Sequence, residues 1–163
     1  MKHIALTIVT LSAVLMLGLA TTAAAADQVP FTATGGAVIT GVTHLPGGLI
    51  QLDGDLSGTA THLGEITGPI TRIQNHQGNF VSTAVLIGAN GTDSVFLTIS
   101  GHFESPKGNN KCAITSTGTY TVTGGTGAFA NATGSGIIST QIDECAGTAT
   151  GTWTGTISRP NSG

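Results

Sequence analysis

The chain has 163 residues, a formal charge of −3, and only 8% charged side chains. Without a basic surplus to neutralise phosphates, it does not fit nucleic-acid binding. Twenty-five glycines and few charges would suit a disordered chain, but β-branched runs such as "VSTAVLIGA" and "SVFLTISG" decide for strands.

Residues 1–26, "MKHIALTIVTLSAVLMLGLATTAAAA", read as a secretory signal peptide. Lys2 supplies the positive end, Ile4 to Ala20 the apolar run, and Ala24 with Ala26 the small recognition residues. An apolar run of that length is also compatible with an uncleaved span. The small residues at its end and the polar chain beyond it favour cleavage. Cleavage after Ala26 leaves residues 27–163 as one domain, secreted or periplasmic, with no membrane contact in its mature form. Losing Lys2 takes the charge from −3 to −4.

No helical period is sustained after residue 27, whereas period-two alternation recurs. Eight strands are predicted, at Phe31–Val42, Gly48–Ala60, Leu63–Ile73, Phe80–Ala89, Thr92–His102, Cys112–Thr123, Gly134–Ile142 and Gly147–Ser158. Turn residues punctuate them in "HLPGG", "NHQG", "ANG", "SPKGNN", "GGTG" and "DECAG". Asn90-Gly91 carries the residue pair of a type I′ hairpin.

The strand faces divide cleanly. In the second, Ile50, Leu52, Gly54, Leu56, Gly58 and Ala60 oppose Leu49, Gln51, Asp53, Asp55, Ser57 and Thr59. In the sixth, Thr115, Thr117, Thr119, Thr121 and Thr123 oppose Ile114, Ser116, Gly118, Tyr120 and Val122. The eighth sets Thr148, Thr150, Thr152, Thr154 and Thr156 against Ala149, Gly151, Trp153, Gly155 and Ile157. Eight antiparallel strands with one mixed apolar face predict an all-β closed barrel, with a two-sheet β-sandwich as the alternative. Cys112 and Cys145 are expected to pair as a disulfide outside the reducing cytosol. A metal pair or two free thiols are the other readings, and neither CxxC nor HxxxH spacing accompanies them.

"GGTGAFANATG", Gly124 to Gly134, resembles the GGTGxFxxAxG signature of the allene oxide cyclase barrel and dirigent-like families. "GTATHLGEIT", Gly58 to Thr67, and the terminal "GTWTGTIS" resemble segments of small exported bacterial proteins assigned to that barrel group. The resemblance implies an eight-stranded antiparallel barrel. It also implies chemistry on apolar reactive intermediates inside or at the mouth of the barrel: allene oxide cyclases close a ring, and dirigent proteins steer the coupling of phenoxy radicals. Cyclases of this type often form trimers, which makes a homo-oligomer a partner to consider.

The glycines of that stretch have two readings. One is architectural, with Gly124, Gly125 and Gly127 permitting positive φ and close approach while Phe129 plugs the barrel end. The other is an anion-cradling nest, but no helix or lysine follows as a phosphate loop requires.

Glu65 is the expected catalytic acid/base if its strand turns it into an apolar cavity, with His102 or Tyr120 as a supporting hydrogen-bond group. Trp153, Tyr120 and Phe129 are the expected ligand-contacting wall, with simple core filling as the alternative. His44, His62, His76 and His102 share no metal spacing, and Asp53 with Asp55 lacks the remaining calcium ligands. No metal and no cofactor is expected. The functional expectation is an exported barrel that binds a small apolar molecule, with cyclase or isomerase activity as its enzymatic form. The alternative is a non-enzymatic extracellular structural or surface protein acting through its threonine rows or through self-association.

Overall fold

Alternating apolar and small or polar residues build eight strands. They are β1 (Gln28–Leu45), β2 (Leu49–Ala60), β3 (Gly64–Gln74), β4 (Asn79–Gly88), β5 (Ser94–Glu104), β6 (Ala113–Thr126), β7 (Gly134–Asp143) and β8 (Thr148–Ser158). The computed structural model describes residues 27–104, 111–158 and 160, so the signal-peptide reading of residues 1–26 lies outside the described residues. Each strand pairs antiparallel with its chain neighbour, and β1 pairs with β8, which closes a barrel rather than a sandwich. Closure leaves no free sheet edge.

β1 extends beyond its expected Phe31–Val42 span at both ends because both of its edges are used. It matches β8 over Gln28–Val38 and β2 over Ala33–Leu45, with a register shift between Ile39 and Gly41 that bends the strand from one partner to the other. The Asn90-Gly91 connection also departs from expectation. A type I′ turn needs positive φ at both central residues, and only Gly91 has it, at 70°. Asn90 instead accepts the backbone N–H groups of Thr92 and Asp93 on its side-chain oxygen, which makes a longer loop.

The two barrel ends differ. The β2–β3, β4–β5 and β6–β7 connections share one end with the start of β1 and the finish of β8. That half is packed solid: Phe31, Leu86, Val95, Tyr120, Phe129 and Ile157 are all essentially inaccessible. Inward side chains nearer the opposite end, including Leu52, Ile70, Ile114 and Ile142, are only half-buried.

The glycine-rich stretch belongs to the packed end. It leads into a short 3-10 turn over Gly127–Phe129 that carries Phe129 into the core. Gly127 has φ of 59° and lies against the Asp93 carboxylate, whose Oδ1 accepts the Ala128 N–H at 2.9 Å while Oδ2 accepts from Asn90 Nδ2 at 2.9 Å. Those two donors, the Ala128 amide first, hold the Asp93 pKa below its ordinary value. A backbone N–H that an anion nest would need is therefore already satisfied within the protein, and the stretch is architectural.

Candidate functional site

The less densely packed half of the barrel encloses a cavity of about 90 Å³, lined by side chains from all eight strands. Its walls are mostly apolar, with Ile39, Leu52, Leu56, Ile66, Ile70, Ile99, Ile138 and Trp153 among them. An eight-stranded barrel is just wide enough either to be filled by its own side chains or to hold one small ligand. Here alanines and glycines on β1 and β8 (Ala33, Gly35, Ala37, Ala149 and Gly151) leave room where larger residues would fill it.

Of the polar residues along this lining, Arg72, Ser82, Ser116 and Thr140 occupy inward strand positions, whereas Thr34, Ser57 and Thr150 are exposed on the outer face. Arg72 is on the inward face of β3, with Leu52 of β2 on one side in register and Ser82 of β4 on the other. Its guanidinium carbon lies 4.8 Å from the centre of the Phe103 ring, within cation–π range. Phe103 in turn packs on Phe80, with ring centres 4.8 Å apart. The Arg72 Nε is buried and has no hydrogen-bond partner among the described residues, and the same holds for Oε1 of Gln74, the next inward residue of β3. Burial lowers the Arg72 pKa, and the negative charge of Glu144 opposes that shift in part. Even so, a guanidinium stays protonated throughout the physiological range. The cavity therefore contains a fixed positive charge in weakly polarisable surroundings, where charge interactions are stronger than in water.

The residues expected from the sequence scatter. Trp153 does line the cavity. Tyr120 is 1% exposed but lies in the packed half and does not reach the cavity wall. Its ring meets Phe31 edge to face at 6.2 Å, and its buried Oη has no hydrogen-bond partner among the described residues. Gly136 and Gly155 make space for that oxygen, since a Cβ on either would approach it to 2.6 Å. Phe129 is likewise buried at the packed end, away from the cavity lining. Glu65 is exposed and points outward opposite Thr59, because its neighbour Ile66 takes the inner face of β3. His102 is exposed on the outer face of β5, its Nδ1 3.2 Å from Asn79 Oδ1. Glu65, His102 and Tyr120 thus do not converge on a common point.

Arg72 was missed at the sequence level because it entered only as a count of charge. A signal was present. It shares strand parity with Ile66 and Ile70, which makes it the one charged side chain on an inward strand face among the described residues.

Cys112 and Cys145 form a disulfide, with Cα atoms 5.3 Å apart. The bridge ties the start of β6 to the end of β7, at the barrel end nearer the cavity. The two sulfurs lie near the Asp143 carboxylate, but they are bonded to each other, and Asp143 Oδ1 accepts the N–H groups of Cys145 and Ala146. No helix among the described residues is long and apolar enough to cross a membrane. That fact and the disulfide are both compatible with an extracellular or periplasmic protein.

Among solved structures, the chain is similar to the pterocarpan synthase dirigent protein GePTS1. The TM-score is 0.56 over 91% of this chain and 100% of that one, at 15% sequence identity. At that identity the likeness shows the fold, a dirigent-like eight-stranded barrel. Neither protein-family models nor curated proteins give a match.

Proposed function

We propose that this is an exported protein whose barrel binds one small, largely apolar molecule. The observation that carries the reading is the cavity of about 90 Å³, with an apolar wall built by every strand. A water molecule needs roughly 10–15 Å³ of such space, and an apolar cavity of roughly 150 Å³ takes up benzene. The space here is smaller than that, and well below the roughly 300 Å³ or more of an ordinary ligand pocket, so it takes only one end of a small molecule, with the remainder extending toward the less packed end. The dirigent-like fold supports the same reading by analogy only.

The polar groups facing the cavity favour binding or steering over proton transfer. Serine and threonine hydroxyls and a guanidinium are not bases near neutral pH, and Glu65, the expected acid/base, is outside. A cyclase or isomerase of this architecture would have to work through orientation and through the charge on Arg72.

Native mass spectrometry of the protein recovered from its own culture medium or periplasm tests the proposal, with solvent extraction alongside. The expected result is an apolar compound bound at one per barrel. An empty barrel that also fails to bind 4-phenylbutanol in calorimetric titration overturns it. Multimers of such an empty barrel would move the function to the exterior, where the threonines of β6 and β8 face solvent.

A further inference from the structure

We propose that the molecule held in this barrel is acidic, an apolar body with one carboxylate or comparable oxyanion that docks on Arg72 at the rim side of the cavity. The inference rests on the binding reading above and adds the chemical class of the ligand.

The packing around Arg72 does not call for an arginine, although its charge lies over the Phe103 ring and is favoured by Glu144. Its register neighbour Leu52 and its strand-mates Ile66 and Ile70 are aliphatic, and a residue of that kind would fill the position without desolvating a charge. Replacing buried charges by well-packed apolar groups is commonly neutral or stabilising. A guanidinium has five N–H donors in a planar fork matched to a carboxylate, and at least the Nε donor is buried without a partner. That atom has no accessible surface toward the cavity, so an oxyanion from a ligand would meet the fork through its terminal N–H groups. The stack of Arg72 on Phe103, and of Phe103 on Phe80, fixes the fork before a ligand arrives, which lowers the ordering cost of binding.

Position along the strand sets the orientation of the ligand. Arg72 is two residues from the end of β3 at Gln74, whereas Ile66, Ile99 and Trp153 lie further toward the packed half. The ligand enters apolar end first and leaves its acid group beside Arg72. Phe80, Phe103 and Ile70 provide apolar surface next to the charge, so a small hydrated anion lacking an apolar body gains little.

Calorimetric titration at neutral pH with a matched pair of probes tests this on the mature, disulfide-bonded protein. The probes are 4-phenylbutyrate and 4-phenylbutanol. The acid is expected to bind about ten-fold or more tightly than the alcohol, the range for a hydrogen-bonded charged group. Arg72→Met should abolish that preference, and Arg72→Lys should restore part of it. Raising the salt concentration should weaken the acid alone, a readout that needs no variant to fold. Equal affinities in the wild type, a preference that survives Arg72→Met, or acid binding indifferent to salt would each overturn the assignment. In those cases the barrel still binds apolar molecules. If neither probe binds, the binding reading itself falls, and this inference with it.

Discussion

Replacing Tyr120 by phenylalanine should stabilise the barrel. The Tyr120 ring is 1% exposed, and its Oη is buried without a hydrogen-bond partner among the described residues. A buried hydroxyl left in that state costs about 1–3 kcal/mol. Removing the oxygen leaves a void of roughly 15 Å³, worth about 0.4 kcal/mol against the variant at 24 cal/mol per Å³. The edge-to-face contact with Phe31 survives the change. The net expectation is a gain of about 0.5–2.5 kcal/mol. Urea unfolding followed by the fluorescence of Trp153, the single tryptophan, would measure it.

The same substitution has a signature in pH. Burial raises the Tyr120 pKa above its ordinary value of 10.0. Above about pH 10 the unfolded chain therefore releases this proton while the folded chain retains it, and stability falls as pH rises. Below that pH the group contributes no slope. Because Tyr120 is the only tyrosine, tyrosinate absorbance reports it directly. Tyr120→Phe should lose this component of the alkaline decline. A variant less stable than wild type by more than about 1 kcal/mol, or a tyrosine that titrates at its ordinary value, would refute the reasoning. Either would mean that Oη has a partner such as a buried water.

Other consequences are equally direct. Phe129→Ala should cost about 3–5 kcal/mol, since the side chain is 1% exposed in the core at the packed end; a loss under about 1 kcal/mol in thermal melting would contradict its role as a plug. Gly155→Ala should destabilise by more than about 2 kcal/mol, because a Cβ there meets both the Ser135 carbonyl and Tyr120 Oη. Tyr120→Phe should rescue it only in part, since the backbone contact remains, and a full rescue in a double-mutant cycle would assign the whole effect to Oη. Changing both Cys112 and Cys145 to serine should cost about 3–4 kcal/mol, the chain-entropy value for a bridge spanning 33 residues. Circular dichroism should still show the sheet, because no strand pairing depends on the bridge.

The strands were legible in the sequence because each carries its own period and is bounded by its own turn. The β2 face of Ile50, Leu52, Leu56 and Ala60 is the inward one, and the threonine rows of β6 and β8 point outward, as alternation alone requires. Closure and the length of β1 were less accessible. They depend on β1 meeting β8 across more than a hundred residues of sequence, and no local pattern reports that pairing. The site suffered from the same gap. Glu65 is an attractive carboxylate beside "HLG", yet one step of strand parity puts it outside. Arg72 gains its meaning only once Phe103, 31 residues later, folds beneath it. Tyr120 and Trp153 have the same local appearance, an aromatic among glycines, but lie at different depths of the barrel. Depth is a property of strand tilt and closure rather than of neighbours in sequence.

The pairing of Gln28 with Ser158 has a practical meaning for handling the molecule. Both ends of the folded strand circuit emerge side by side at the packed end, away from the cavity. A reporter or surface linker attached before β1 or after β8 would leave the cavity end of the barrel clear. Joining the two positions by a short peptide and reopening the chain at Gly91, in the solvent-facing β4–β5 loop, should yield a permuted barrel with the same circuit and the same cavity.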